Sequence, residues 1–290
     1  MVNDRAQRSL NQSEQYGNAM RSTCFRSPFL NPRSDRLLHI HLFRSVTIIT
    51  IFLSILLIGC AENKTLLKKR SQALENLGNS LIQRGDLRGG LEKLLEANKL
   101  DPENAKIHNE LGLVYRDLEA YKKSLVHFKK ALALKPKFSE AQNNLGTLYL
   151  LLKEWDLALE CFQKAVGDIL YKTPHFAYNN MGLAYYSKGN YQKAIESYHK
   201  ALEMLPSYSL CYENLARSYE ATNQWGRAIE AYKKSIDYEP NYPTPHFNLA
   251  RLYLKFNRND EAGKELKLTI EIDPKGFYGN EASRLLKSIK

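Results

Sequence analysis

Cysteine is scarce in this chain: Cys24, Cys60, Cys161 and Cys211 are the four it has, and no two of them lie close together. A zinc module or a Cys-x-x-Cys redox pair needs two sulfur ligands within a few positions, so neither is present. Histidine offers no substitute. His108, His127, His175, His199 and His246 are scattered singly, at places that suit surface or packing roles, and His39 and His41 fall in the leader. There is no Gly-rich phosphate loop and no Gly-x-Ser-x-Gly elbow. The sequence therefore names no catalytic residue, no metal ligand and no cofactor, and the expectation is a protein that is not an enzyme. Long apolar runs are also missing. The longest uncharged one, Val46–Gly59, falls short of the roughly 20 residues that cross a bilayer. Acidic residues are outnumbered, 31 against 42 basic, for a net charge of +11. Yet the basic pairs Lys122-Lys123, Lys129-Lys130 and Lys233-Lys234 face away from the apolar stripe. They read as a solvated outer face, not the continuous stripe that nucleic acid requires.

What is present is a repeat. In Tyr178–Pro206 two helical patterns sit back to back: Tyr178, Met181, Gly182 and Tyr185 recur at three- and four-residue spacing, then Ala194, Ile195, Tyr198, Ala201 and Leu202 do the same. Ser187–Asn190 supplies the turn between them. Gly189 suits the left-handed residue that ends the first helix, and Pro206 stops the second. The unit is a helical hairpin, with small Gly182 and Ala194 where the helices approach and Tyr191 and Tyr198 filling the space beside them. It recurs every 34 residues. Copies begin at Ser71, Ala105, Ser139, His175, Ser209 and Pro243, with Leu-Gly or Leu-Ala in most first helices and Pro102, Pro136, Pro206, Pro240 and Pro274 at the ends. The third departs from the period, because Gly167–Pro174 is a longer loop. Tyr121, Trp155, Tyr191 and Trp225 all fall at the seventeenth place of their copies, which marks them as packing residues and not base-stacking platforms.

This pattern resembles the tetratricopeptide repeat, and the resemblance implies an all-α, right-handed superhelical solenoid. About six repeats cover 71–276, and residues 277–290 form a capping helix with Ala282, Leu285, Leu286 and Ile289 on one face. Each hairpin buries its apolar face only against its neighbours, so stability comes from stacking. Cys161 and Cys211 replace residues that usually pack and are expected as two half-buried, unpaired thiols.

Residues 1–59 read as a leader and signal peptide. Residues 1–36 hold too few apolar side chains for a core, Arg33, Arg36 and Arg44 precede the apolar run, and the run ends in Leu57-Ile58-Gly59-Cys60. That end resembles the lipobox of bacterial lipoproteins, which implies that Cys60 is lipidated and becomes the first mature residue. The leader is long for such a signal, so initiation near Leu37 is expected. Ala61 after the cysteine implies the periplasmic face of the outer membrane, and 60–70 becomes a lipidated tether. A lipobox followed by six such repeats resembles the type IV pilus biogenesis and stability lipoproteins, the pilotin family. The extended junction Leu170–Gly182, with its Pro-containing loop leading into Ala-x-x-Asn-x-Gly, carries the most specific part of that likeness. The implied function is a protein-protein interaction scaffold in type IV pilus and secretin assembly, with secretin or pilus subunits as partners. The alternative is a periplasmic scaffold for another envelope system, such as polysaccharide export or cell-wall synthesis.

In such a solenoid the first helices line the concave side, where the sixth position carries Asn76, Asn144, Asn180, Asn214 and Asn248, broken by Glu110. Primary amides both donate and accept, so this ladder is expected to hold an extended partner backbone. Leu113, Leu150, Phe176, Leu183, Leu210 and Phe247 lie on the same helices at places expected to face solvent, forming an apolar strip for partner side chains.

Overall fold

The computed structural model describes residues 63–289. Its regular structure is helical throughout, with no strand among the described residues. From Leu66 onward the chain forms one compact unit; of the other, Met1–Thr65, only 63–65 are described. Helix α1 covers 63–83. It is followed by α2 Leu87–Leu100, α3 Ala105–Asp117, α4 Tyr121–Leu134, α5 Ser139–Leu151, α6 Trp155–Val166 and α7 Pro174–Ser187. Then come α8 Tyr191–Met204, α9 Ser209–Ala221, α10 Trp225–Tyr238, α11 Pro243–Lys255, α12 Asn259–Ile272 and α13 Phe277–Ser288. None of these helices is long and apolar enough to cross a membrane.

The turns explain why hairpins form. Gly85, Glu119, Lys153, Gly189, Asn223 and Asn257 each take a positive φ between 56° and 87°. In each case the next residue's N–H returns to a carbonyl five residues back, as Asn190 does to Tyr185 at 2.9 Å. This left-handed step ends the first helix and satisfies its last carbonyls. Glycine meets it without strain at Gly189, as its sequence position suggests; Glu119 and Lys153 meet it at a cost of roughly 1–2 kcal/mol.

The two helices of a hairpin then approach through one repeated contact. Phe128, Phe162, Tyr198 and Tyr232, at the same place in four second helices, are essentially fully buried. Each gives on the order of 1.5–3 kcal/mol by leaving water. Opposite them stand Gly112, Gly146, Gly182 and Ala216; an added methyl at Gly112 would meet the Phe128 ring at 2.6 Å. In the first hairpin, where Leu94 replaces the aromatic, Gly78 instead closes on Gly90, and a Cβ there would lie 3.1 Å from the Gly90 carbonyl.

Between hairpins, each second helix packs on the next first helix: α4 on α5, α6 on α7, α8 on α9, α10 on α11 and α12 on α13. Successive first helices also touch, as α3 does α5, α5 does α7 and α7 does α9. First helices therefore line the shorter side of the stack, which is where the sequence places a partner. The basic pairs on α4 and α10 are exposed, as expected. The long junction after α6 is anchored, with Tyr171 buried and Asp168 accepting from the Ser139 hydroxyl at 2.5 Å and from the Leu170 N–H at 3.0 Å. At the far end α13 buries Ala282 with Phe247, Ala250 and Leu266, and Leu285, Leu286 and Ile289 pack against them. The thiols differ from expectation: Cys161 and Cys211 are unpaired but buried, at 7% and 0% exposure, not half-buried. Cys211 faces the Tyr198 carbonyl 3.5 Å away. Burial pushes the Cys161 thiol up to about 11 and Cys211 higher still.

Candidate partner-binding site

The asparagine ladder is built differently from its sequence reading. Asn144 Nδ2 donates to Asn109 Oδ1 at 3.0 Å, Asn180 to Asn143 at 3.1 Å and Asn214 to Asn179 at 3.1 Å. The sixth position of one repeat thus ties to the fifth position of the repeat before it. Sequence reasoning followed the sixth column and missed its partner column, although Asn109, Asn143 and Asn179 also recur at the repeat period. Each such bond contributes roughly 0.5–1.5 kcal/mol to stacking and aligns the rungs. One N–H of each amide is committed to this bond, so the ladder is first a clamp between repeats. Asn76 begins the column, exposed, and accepts from Gln72 at 3.2 Å.

Two places break the pattern. At the first junction Glu75 and Glu110 occupy the two columns. Glu75 is fully buried, and Lys106 reaches both carboxylates, with Glu110 also accepting from Asn79 at 3.0 Å. One oxygen of each, Oε2, finds no donor. Burial first, and then the neighbouring Glu75 charge, hold the Glu110 carboxyl up at about 7. At the last junction Glu213 stands in the fifth column, and its carboxylate accepts the Tyr242 hydroxyl. Asn248 consequently makes no rung and lines an open cavity of about 560 Å³ with Tyr186, Arg217, Trp225, Arg251 and Lys255. The ninth positions of successive first helices read Asn79, Leu113, Thr147, Leu183, Arg217 and Arg251. That change from uncharged to basic was the available signal for the cavity.

The apolar strip is partly displaced. Phe176 and Leu210 are 41% and 40% exposed, and Phe176 meets the Tyr208 ring edge-on at 5.5 Å. Leu113, Leu150 and Leu183 are half-buried, the first two against clusters shared between their own repeat and the next. Phe247 does not belong to the strip. It is buried against Ala250, Leu266 and Ala282, with the Tyr278 ring 5.5 Å away. The terminal helix α13 covers the face Phe247 would otherwise expose. Leu151 and Leu152, at the end of α5, add exposed apolar area at 53% and 38%. Cys60 and the tether up to residue 62 lie outside the described residues, and no cluster of metal-ligating side chains occurs among the described ones.

Three family models match the chain. One for the tetratricopeptide repeat matches residues 105–138, 139–166 and 175–208, a second matches 223–287, and a TPR-repeat model matches 78–118. The interval 167–174, which separates two of the matched copies, is the extended junction. Among solved structures, PilF of Pseudomonas aeruginosa is 21% identical with a TM-score of 0.66, covering 75% of this chain and 98% of its own. PilW, described as a widely conserved type IV pilus biogenesis factor, is 22% identical with a TM-score of 0.68, covering 76% and 97%. The BBSome complex member BBS4 of Bos taurus is 26% identical over 130 residues, and this chain spans 25% of its length. At these identities the two pilus proteins show the shared solenoid fold. With six hairpins in register, a left-handed turn in each, and family models spanning most of the described residues, the chain belongs to the tetratricopeptide-repeat proteins, scaffolds whose business is binding other proteins.

Proposed function

We propose that this chain is a lipid-anchored scaffold on the periplasmic face of the outer membrane, and that it serves type IV pilus and secretin assembly by holding a segment of a secretin or pilus subunit along its first helices. The observation that carries the proposal is the first-helix face itself. It presents Phe176 and Leu210 to solvent beside half-buried Leu113, Leu150 and Leu183, and is rimmed by amides already locked in register. A pre-aligned rim loses little conformational entropy when a partner docks. The stretch Leu57-Ile58-Gly59-Cys60 supports the anchor, and the likeness to PilF and PilW over nearly the whole of each supports the pilus setting.

Two measurements test this. Cys60→Ser should accumulate as an uncleaved precursor; normal processing and outer-membrane fractionation of the variant would refute the anchor. For the partner, the protein is captured from detergent-solubilised membranes and its companions are identified by mass spectrometry. A secretin or pilus subunit is expected with the wild type and absent with Phe176→Ser/Leu210→Ser, at unchanged helical content. Recovery of polysaccharide-export or cell-wall synthesis proteins instead would move the function to that system. Undiminished capture by the double variant would remove the face from the mechanism.

A further inference from the structure

The cavity between α7, α9, α10 and α11 has a chemistry distinct from the rest of the first-helix face. Arg217, Arg251 and Lys255 converge on it, and none of the three forms an ion pair with a described residue. The one carboxylate in the lining, Glu220, accepts the Tyr232 hydroxyl. The cations are instead backed by rings: Lys255 Nζ sits 3.3 Å from the centre of the Trp225 ring, and the Arg217 guanidinium 5.2 Å from that of Tyr186. A ring face steadies a cation but accepts none of its in-plane N–H bonds, so donors remain for an anion. The ladder is also interrupted at this place. Asn144, Asn180 and Asn214 each spend a donor on the preceding repeat, whereas Glu213 in the facing column is held by Tyr242, and the Asn248 amide is left to the cavity.

We propose that this cavity is a carboxylate pocket: it takes an aspartate or glutamate side chain of an extended partner segment, with Arg217 and Arg251 as charged donors, Asn248 as a neutral one, and Trp225 packing the residue beside it. Guanidinium forks match the carboxylate plane, and two of them on the first helices of adjacent repeats fix one position of the segment. The apolar strip nearer the middle of the array grips the segment; the pocket sets its register and selects acidic over neutral sequences. The inference rests on the partner-binding reading of the same face and adds the partner's chemistry.

The test uses a phage-displayed library of random linear peptides, panned on the full chain, on Arg217→Ser/Arg251→Ser, on Arg251→Glu, and on Phe176→Ser/Leu210→Ser. The wild type should enrich peptides with an Asp or Glu at a fixed distance from apolar residues. Individual winners should lose about tenfold or more in affinity on Asp→Asn or Glu→Gln exchange, and on the double Arg change. Arg251 is exposed, so Arg251→Glu should fold normally, lose the acidic preference and move it toward Lys. Winners should weaken with added salt. Enrichment of apolar peptides with no acidic preference would overturn the pocket while leaving the face standing. No enrichment by the wild type would overturn both. Equal displacement of winners by inorganic phosphate at low millimolar concentration would show a general anion site and overturn the proposed selectivity for a peptide carboxylate.

Discussion

Adding one methyl group to two glycines of this solenoid should move stability in opposite directions. At Gly182, in the middle of α7, a Cβ would stand 2.7 Å from Cδ1 and Cζ of the Tyr198 ring. Tyr198 is 1% exposed and enclosed by Ala194, Ile195, Ala201 and Leu202, so the ring cannot swing away. Forcing a methyl into a closed core costs about 1–3 kcal/mol. Alanine's better helix propensity returns roughly 0.8–1 kcal/mol. With three contacts below 3 Å to an enclosed ring the cost falls in the upper half of that range, so Gly182→Ala should lose about 1–2 kcal/mol net. At Gly263, inside α12, the same methyl would touch Ile289 and Leu286 at 3.9 Å, ordinary van der Waals contact. Only the propensity gain operates there, and Gly263→Ala should gain about 0.5–1 kcal/mol. Urea unfolding followed by helical circular dichroism measures both, with midpoint and slope recorded separately because repeat arrays can unfold in parts. A Gly182→Ala protein as stable as the wild type would refute the close-approach account, and a destabilised Gly263→Ala would refute the open-space one. Repeat five supplies an internal comparison. There Ala216 and Tyr232 are both fully buried in one cluster, so a methyl is already part of the contact, and Ala216→Gly should destabilise by leaving a gap.

Other outcomes follow from named residues. Glu119→Gly should stabilise by about 1 kcal/mol, because its φ of 57° strains any side chain; a lower urea midpoint would contradict this. The Glu110 carboxyl, held up at about 7 mainly by burial, contributes fully only below about pH 4.5, and its contribution is lost as pH rises through 7. Glu110→Gln should thus match the wild type at pH 4.5 and exceed it by up to about 3 kcal/mol at pH 8, in the same unfolding assay. His127, pulled down to about 4 by burial and by His108, acts with the opposite sign. It stays neutral in the fold, so stability is kept above pH 6.5 and declines as pH falls toward 4; His127→Gln should flatten that decline by about 1–2 kcal/mol. Cys211, fully buried with its thiol pushed up by burial, should resist a disulfide-exchange reagent until urea unfolds repeat five, and rapid labelling of native protein would contradict its placement.

The sequence by itself determined the hairpin, its period and its count, because helical periodicity and turn residues are local signals repeated six times. Gly182 facing a large second-helix residue, the left-handed Gly189, the long loop at 167–174 and the terminal helix were all legible in that way. Exposure on the first-helix face was not. Phe247 reads like Phe176 in sequence, yet one is buried and the other exposed, since only the stack decides that α13 covers repeat six while Phe176 is left at the surface. Likewise a column of asparagines states that amides recur, not what they bond. Their partners lie about 35 residues away, on the neighbouring first helix. The cavity exists because four helices from three repeats bring Arg217, Trp225, Asn248 and Arg251 together, and because Tyr242 removes Glu213 from the ladder. Local pattern sets which helices form; which side chains are left over to meet a partner depends on contacts between repeats, and those are set by packing in three dimensions.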